Sequence, residues 1–94
     1  MAALLPPDAV TDALRHLPGW RREGASIVKT FTFAGFPEAV AFVTRLIAPA
    51  EAADHHPDLA IHYRRVEVTF TTHSAGGLTT KDLDGAAAVE ALSR

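Results

Sequence analysis

A chain of 94 residues and 10.0 kDa amounts to one small domain, which excludes a two-domain enzyme with a separate cofactor fold. With 48% hydrophobic and 21% charged residues it belongs among folded globular proteins, but 18 of the apolar residues are Ala, and the 27 larger ones make a thin core for a monomer. A net charge of −2 with no basic run beyond Arg21-Arg22 and Arg64-Arg65 gives no nucleic-acid footprint, and the absence of Cys removes disulfides, thiolate nucleophiles and Cys-bound metals.

The opening MAALLPPDAV has no basic n-region and its apolar run stops at Pro6-Pro7. No later stretch reaches 18 uninterrupted apolar residues, so a soluble cytoplasmic protein with no membrane partner is expected. Asp8 to Leu17 places Val10, Leu14 and Leu17 at i, i+4, i+7, the pattern of a short amphipathic helix stopped by Pro18-Gly19. Gly19 to Glu23, a turn at Gly24 and the alternating run Ile27 to Phe33 predict a hairpin. Gly35-Phe36-Pro37 opens the longest helical pattern, with Phe36, Val40, Val43 and Ile47 on one face, expected to run to about Asp54.

His55-His56-Pro57 ends that helix, because the residue before a proline is pushed out of the α region. Ile61 to Tyr63 and Val66 to Thr71 predict a second hairpin around Arg64-Arg65, with Tyr63 as a strand core residue. After the Gly76-Gly77 loop, Thr79-Thr80-Lys81-Asp82 has the capping-box pattern of a last helix through Ala86, Val89 and Leu92. The expected fold is therefore α+β in the order α-β-β-α-β-β-α: one domain over 1–94, a two-layer sandwich of a four-stranded antiparallel sheet with helices on one face. The sheet face carrying Glu67, Thr69 and Thr71 should stay polar.

Four of the five His fall within 19 residues: His55, His56, His62 and His73. Glu51 stands one helical turn before His55, and Asp82 nine residues after His73. A metal site would use Glu51 and His55 at i, i+4 with His73 as a third ligand, although adjacent His55 and His56 point in different directions. A nucleophilic site is poorer, since Ser26, Ser74 and Ser93 lie in no triad-like context. General acid–base chemistry suits several imidazoles that titrate near physiological pH.

The run Glu51-x-x-x-His55-His56-Pro57, followed by Tyr63, His73 and Gly77-Leu78-Thr79-x-x-Asp82, resembles the signature of the pterin-4a-carbinolamine dehydratases. The resemblance starts at Gly19-Trp20 and covers about two-thirds of the chain. It implies a hydro-lyase that needs neither cofactor nor metal and dehydrates 4a-hydroxytetrahydrobiopterin to quinonoid dihydrobiopterin, in recycling of the pterin used by aromatic amino-acid hydroxylases. His55 and His73 would then deliver protons toward the hydroxyl, and His56 would hold and polarise the ring. Asp82 would orient an imidazole, while Glu51 and Trp20 would help to bind the pterin. Together with the thin core, the family points to a homo-oligomer, dimer or tetramer. The alternative is a non-catalytic pterin- or protein-binding module of the same fold, or a role in molybdopterin metabolism.

Several of these residues have structural uses as well. Asp82 can cap the last helix, Trp20 can serve the core, Glu51 can be a solvated carboxylate, and His16 and His62 fall outside the signature. Pro49 should kink or break the long helix just before Glu51, and Gly85 should weaken the last helix by about 1 kcal/mol relative to Ala.

Overall fold

Four antiparallel strands in the order β1-β2-β4-β3 form the sheet on which everything else packs. The structure, a computed structural model, describes residues 3–93, so Met1, Ala2 and Arg94 of the expected domain lie outside the described residues. β1 (Arg21–Glu23) and β2 (Ser26–Thr32) form the first hairpin, with Gly24 at φ +60° in a two-residue turn. β3 (Asp58–His62) and β4 (Arg65–Phe70) form the second, and β4 pairs with β2 through the centre of the sheet. Tyr63 corrects the sequence reading: it sits in the two-residue turn at φ 57° and is 70% exposed. A left-handed residue is what that tight turn requires, so Tyr63 cannot continue the strand.

One sheet face carries Ile27 and Phe31 of β2 and Val66, Val68 and Phe70 of β4, all buried beneath the helices. The opposite face presents Thr30, Glu67 and Thr69 as the alternation predicts, but it also carries Val28, which is buried there, so it is not wholly polar. α1 (Pro7–Leu14) begins with Pro at its first position and buries Val10; residues 15–17 tighten into turns of the 3₁₀ type rather than extending the helix. No helix among the described residues is long and apolar enough to cross a membrane.

The long helix expected from Phe36 to Asp54 is two helices, α2 (Phe36–Arg45) and α3 (Ile47–Ala53), divided at Leu46. Pro49 is the cause: it has no N–H for the Arg45 carbonyl four residues back, and in a continuous helix its ring would clash with that carbonyl. The break moves Pro49 into the first turn of α3, where a missing N–H costs nothing. α2 buries Ala39 and Phe42, the latter packed at a tilt against Phe31 and Phe33 with ring centroids 5.1 and 4.8 Å apart, whereas α3 buries no residue.

α4 (Thr80–Leu92) opens at the expected capping box and crosses the sheet over Phe70. Gly85 does more there than weaken the helix. A Cβ at this position would stand 2.6 Å from Cε1 and 2.7 Å from Cζ of Phe70, so its absence allows helix and strand to approach. Trp20 packs against Phe31 and Phe70, each at 6.1 Å, and donates from its indole N–H to Glu90 of α4 at 2.9 Å.

Gly85→Ala is expected to destabilise the protein by about 1–2 kcal/mol, because overpacking against Phe70 outweighs a helix-propensity gain of about 1 kcal/mol. Thermal denaturation checks this; a Tm at or above that of the unmodified protein would show that Phe70 yields freely.

Candidate functional site

Asp82 is fully buried at the third position of α4, and each of its carboxylate oxygens is engaged. Oδ2 accepts the Thr79 backbone N–H at 2.9 Å and the Thr72 hydroxyl at 2.7 Å. Oδ1 meets Nε2 of His55 at 2.6 Å. Capping of the helix and holding of an imidazole, two uses read as separate in the sequence, are thus both made by this one carboxylate.

His55 reaches Asp82 because it has left the helix. Asp54 adopts a left-handed conformation at φ 49°, its N–H bonds the Glu51 carbonyl at 3.2 Å, and the His55 N–H returns to Ala50 at 3.1 Å. These two bonds make a Schellman motif with Asp in the place usually held by Gly. The turn separates Glu51 from His55, so the i, i+4 pairing expected on one helix face does not form. Glu51 instead bonds Nε2 of the neighbouring His56, with both side chains more than half exposed. The His55 ring also stacks on Phe70 at 5.8 Å and 18°.

His73 comes from a 3₁₀ turn (His73–Ala75) between β4 and α4. The Thr72 carbonyl accepts the N–H groups of Ala75 at 3.1 Å, Gly76 at 3.0 Å and Gly77 at 3.3 Å, folding the turn back on itself. Gly76 at φ +75° supplies the left-handed residue that closes it. His55, His56 and His73 all line one polar cavity of about 400 Å³, together with Asp54, Thr71 and Lys81. Asp82 stands behind His55 rather than in the cavity wall.

Other expected residues lie elsewhere. Trp20 is in the core on Phe70, the ring that also stacks with His55, and does not line the cavity. Glu51 borders a separate apolar groove of about 150 Å³ beside His56 and Leu59. His16 and His62 are exposed and away from the cavity, as is Tyr63 in its turn. A second cavity, apolar and about 250 Å³, adjoins His55 and Lys81 and is walled by Pro49, Ala53, Phe70 and Gly85. Of these cavities only the polar one is lined by three imidazoles. Among the described residues, no group of three or more His, Asp or Glu is placed to hold a metal ion.

Two contributors escaped the sequence reading. Lys81 brings an ammonium to the polar cavity, and Thr72 brings a buried hydroxyl to Asp82. Each stands next to a residue that did carry a signal, His73 for Thr72 and Asp82 for Lys81, but neither has a spacing of its own to mark it.

Comparison with known proteins places these features in context. Residues 3–92 match the family described as pterin 4 alpha carbinolamine dehydratase. A protein of Thermosynechococcus vestitus, provisionally named a pterin-4-alpha-carbinolamine dehydratase, is 47% identical over 93 residues, covering 99% of this chain and 98% of that one. One of Roseiflexus castenholzii with the same provisional name is 48% identical over 92 residues, covering 98% and 99%. The crystal structure of a transcriptional coactivator/pterin dehydratase from Brucella melitensis superposes with a TM-score of 0.91 at 35% identity, covering 96% of this chain and 98% of that one. A pterin dehydratase-like protein identified as a RuBisCO assembly factor in the alpha-carboxysome superposes with a TM-score of 0.68 at 27% identity, covering 83% and 93%.

The geometry separates the two carboxylates by burial, and stability should follow. Asp82→Ala removes a helix cap and strands a buried hydroxyl, N–H and imidazole, for an expected loss of about 2–4 kcal/mol in urea denaturation at neutral pH. Glu51→Ala, at an exposed ion pair, should change stability by no more than about 0.5 kcal/mol. Equal losses from the two variants would contradict the difference in burial.

Proposed function

The chain belongs to the pterin-4α-carbinolamine dehydratase family, and from that premise we propose that it dehydrates 4a-hydroxytetrahydrobiopterin to quinonoid dihydrobiopterin by imidazole acid–base chemistry. The observation that carries this reading is the convergence of His55, His56 and His73 on one polar cavity, with a buried carboxylate behind His55.

The reaction breaks the C4a–O bond. A protonated imidazole gives its proton to the departing hydroxyl, which leaves as water; a neutral imidazole takes the N5 proton, and the N5 electron pair forms the C4a=N5 bond. The enzyme ends with one proton moved between imidazoles, and exchange with water restores it. Positioned acids and bases each contribute about 10²–10⁴-fold to such steps. His73, in the turn after β4, gives its proton to the hydroxyl; His55, at the end of α3 with Nε2 on Asp82, takes the N5 proton on Nδ1 instead of serving the hydroxyl as the sequence led us to expect. His56, paired with Glu51, holds and polarises the pterin ring. Neither a redox cofactor nor a metal takes part, since the step moves only protons and a lone pair. Trp20 acts through packing under Phe70, the ring on which His55 lies.

The protein works as a homo-oligomer. Phe36, Val40 and Ile47 of the α2–α3 face and Leu59 and Ile61 of the edge strand β3 are exposed apolar side chains on a thin-cored domain, which favours burial against a second copy. The same patch, with a structural neighbour identified as a RuBisCO assembly factor, favours the second reading, a non-catalytic module that binds another protein.

Purified protein should accelerate dehydration of the carbinolamine with or without chelator, and His55→Ala or His73→Ala should lower the rate by about tenfold or more. Full activity in both variants would refute the site. A folded protein with no activity would leave the binding-module reading. Sedimentation at micromolar concentration should show a species heavier than the 10.0 kDa chain; a monomer would contradict self-association.

A further inference from the structure

We propose that Thr72 is a positioning residue: its side chain fixes the proton arrangement of the Asp82–His55 pair while its backbone carries the turn that presents His73. The kinetic part of this proposal rests on the dehydratase reading, and the spectroscopic part stands without it.

Thr72 is 3% exposed and belongs to a chain of hydrogen bonds whose direction is determined. Thr79 Oγ1 accepts the Lys81 backbone N–H at 3.2 Å. The single Thr72 proton goes to Asp82 Oδ2 at 2.7 Å, so of the two hydroxyls 2.8 Å apart Thr79 Oγ1 is the donor and Thr72 Oγ1 the acceptor. Oδ2 also receives the Thr79 N–H, so it has no place for a proton of its own. The proton shared between carboxyl and imidazole is thereby confined to the line from Oδ1 to Nε2 of His55. The carboxylate, with its other oxygen already taking two donors, is the acceptor on that line. His55 is accordingly held as the tautomer protonated on Nε2, with Nδ1 left to exchange protons with a bound molecule.

The backbone of the same residue accepts the N–H groups of Ala75, Gly76 and Gly77 and donates to the Gly77 carbonyl at 3.1 Å. One residue thus ties the turn bearing His73 to the carboxylate that holds His55. Removing the hydroxyl leaves Thr79 Oγ1, also buried, without its acceptor and Oδ2 with a single donor, so the carboxylate can rotate and the His55 proton loses its fixed partner.

Long-range ¹H–¹⁵N spectra of the unmodified protein are expected to show His55 protonated on Nε2 and bare on Nδ1; the opposite tautomer would overturn the proposal. In Thr72→Val, exchange of the His55 Nε2 proton with water should quicken by about tenfold or more, and kcat for the carbinolamine should fall by about tenfold with KM within about twofold. Thr72→Ser, which restores the hydroxyl, should return both to within about threefold of the original values, a rescue that packing alone would not give. Unchanged proton exchange and kcat in Thr72→Val would refute the role. If the unmodified protein has no dehydratase activity, the exchange rates in the Thr72 variants still decide the matter, and if Thr72→Val does not fold, Thr72→Ala, which also removes the hydroxyl, is measured in its place with the same outcomes expected.

Discussion

The structure turns on the burial of one carboxylate. An ionised side chain removed from water is tolerated only where donors replace its hydration, and Asp82, the single acidic or basic residue fully buried among those described, meets that demand with three. The donors come from three parts of the chain: the cap of α4, the segment leaving β4 and the exit of α3. Satisfying Asp82 therefore brings those segments to one point. The polar cavity forms where they meet, and its position follows from the same requirement that stabilises the start of the last helix.

Phe70 is the apolar counterpart of that anchor. Its ring lies against Trp20 on one side and His55 on another, and α4 approaches it closely only because Gly85 has no side chain. The last residue of the central strand thus supports the imidazole that Asp82 holds by hydrogen bonding. Stacking fixes the plane of the His55 ring, and the carboxylate fixes its rotation about the axis normal to that plane, so the two contacts constrain different degrees of freedom. Trp20 has a definite connection to the site through this stack without touching the cavity. A ring that the sequence marks can therefore support a site by packing rather than by contact.

What could be read from the sequence was local. Both hairpins, the last helix, its capping box and the disruptive effect of Pro49 are set by residues close together in the chain, and each left a pattern of alternation, spacing or ring geometry. The turns at Asp54 and Tyr63 left none, because both use left-handed backbone at residues other than glycine. That single conformation at Asp54 changed the partners: an i, i+4 spacing pairs Glu51 with His55 only while the helix continues, and past the turn Glu51 meets His56 instead. The bond from His55 to Asp82 spans 27 residues. The matched positions of the family named both residues, but no periodicity could show that they touch. Thr72 was hidden for a related reason, since a buried hydroxyl acquires its role only after helix, strand and turn are in place.

Two imidazole–carboxylate pairs next to each other in sequence have different physical characters. In His55–Asp82 the side chains are 11% and 0% exposed, so little water competes and neither partner can leave without stranding the other. In His56–Glu51 the corresponding values are 54% and 68%, and an exposed pair of this kind contributes about 0–1 kcal/mol and is screened by salt. His55 is therefore held in a fixed orientation whatever occupies the cavity, whereas His56 can exchange Glu51 for a polar group of a bound molecule at small cost. A proton-transfer group benefits from the first arrangement, since misalignment raises its barrier, and a binding group benefits from the second, since it must accept a partner. The different settings of two adjacent histidines follow from the left-handed turn at Asp54, which sends one inward to Asp82 and leaves the other at the surface with Glu51.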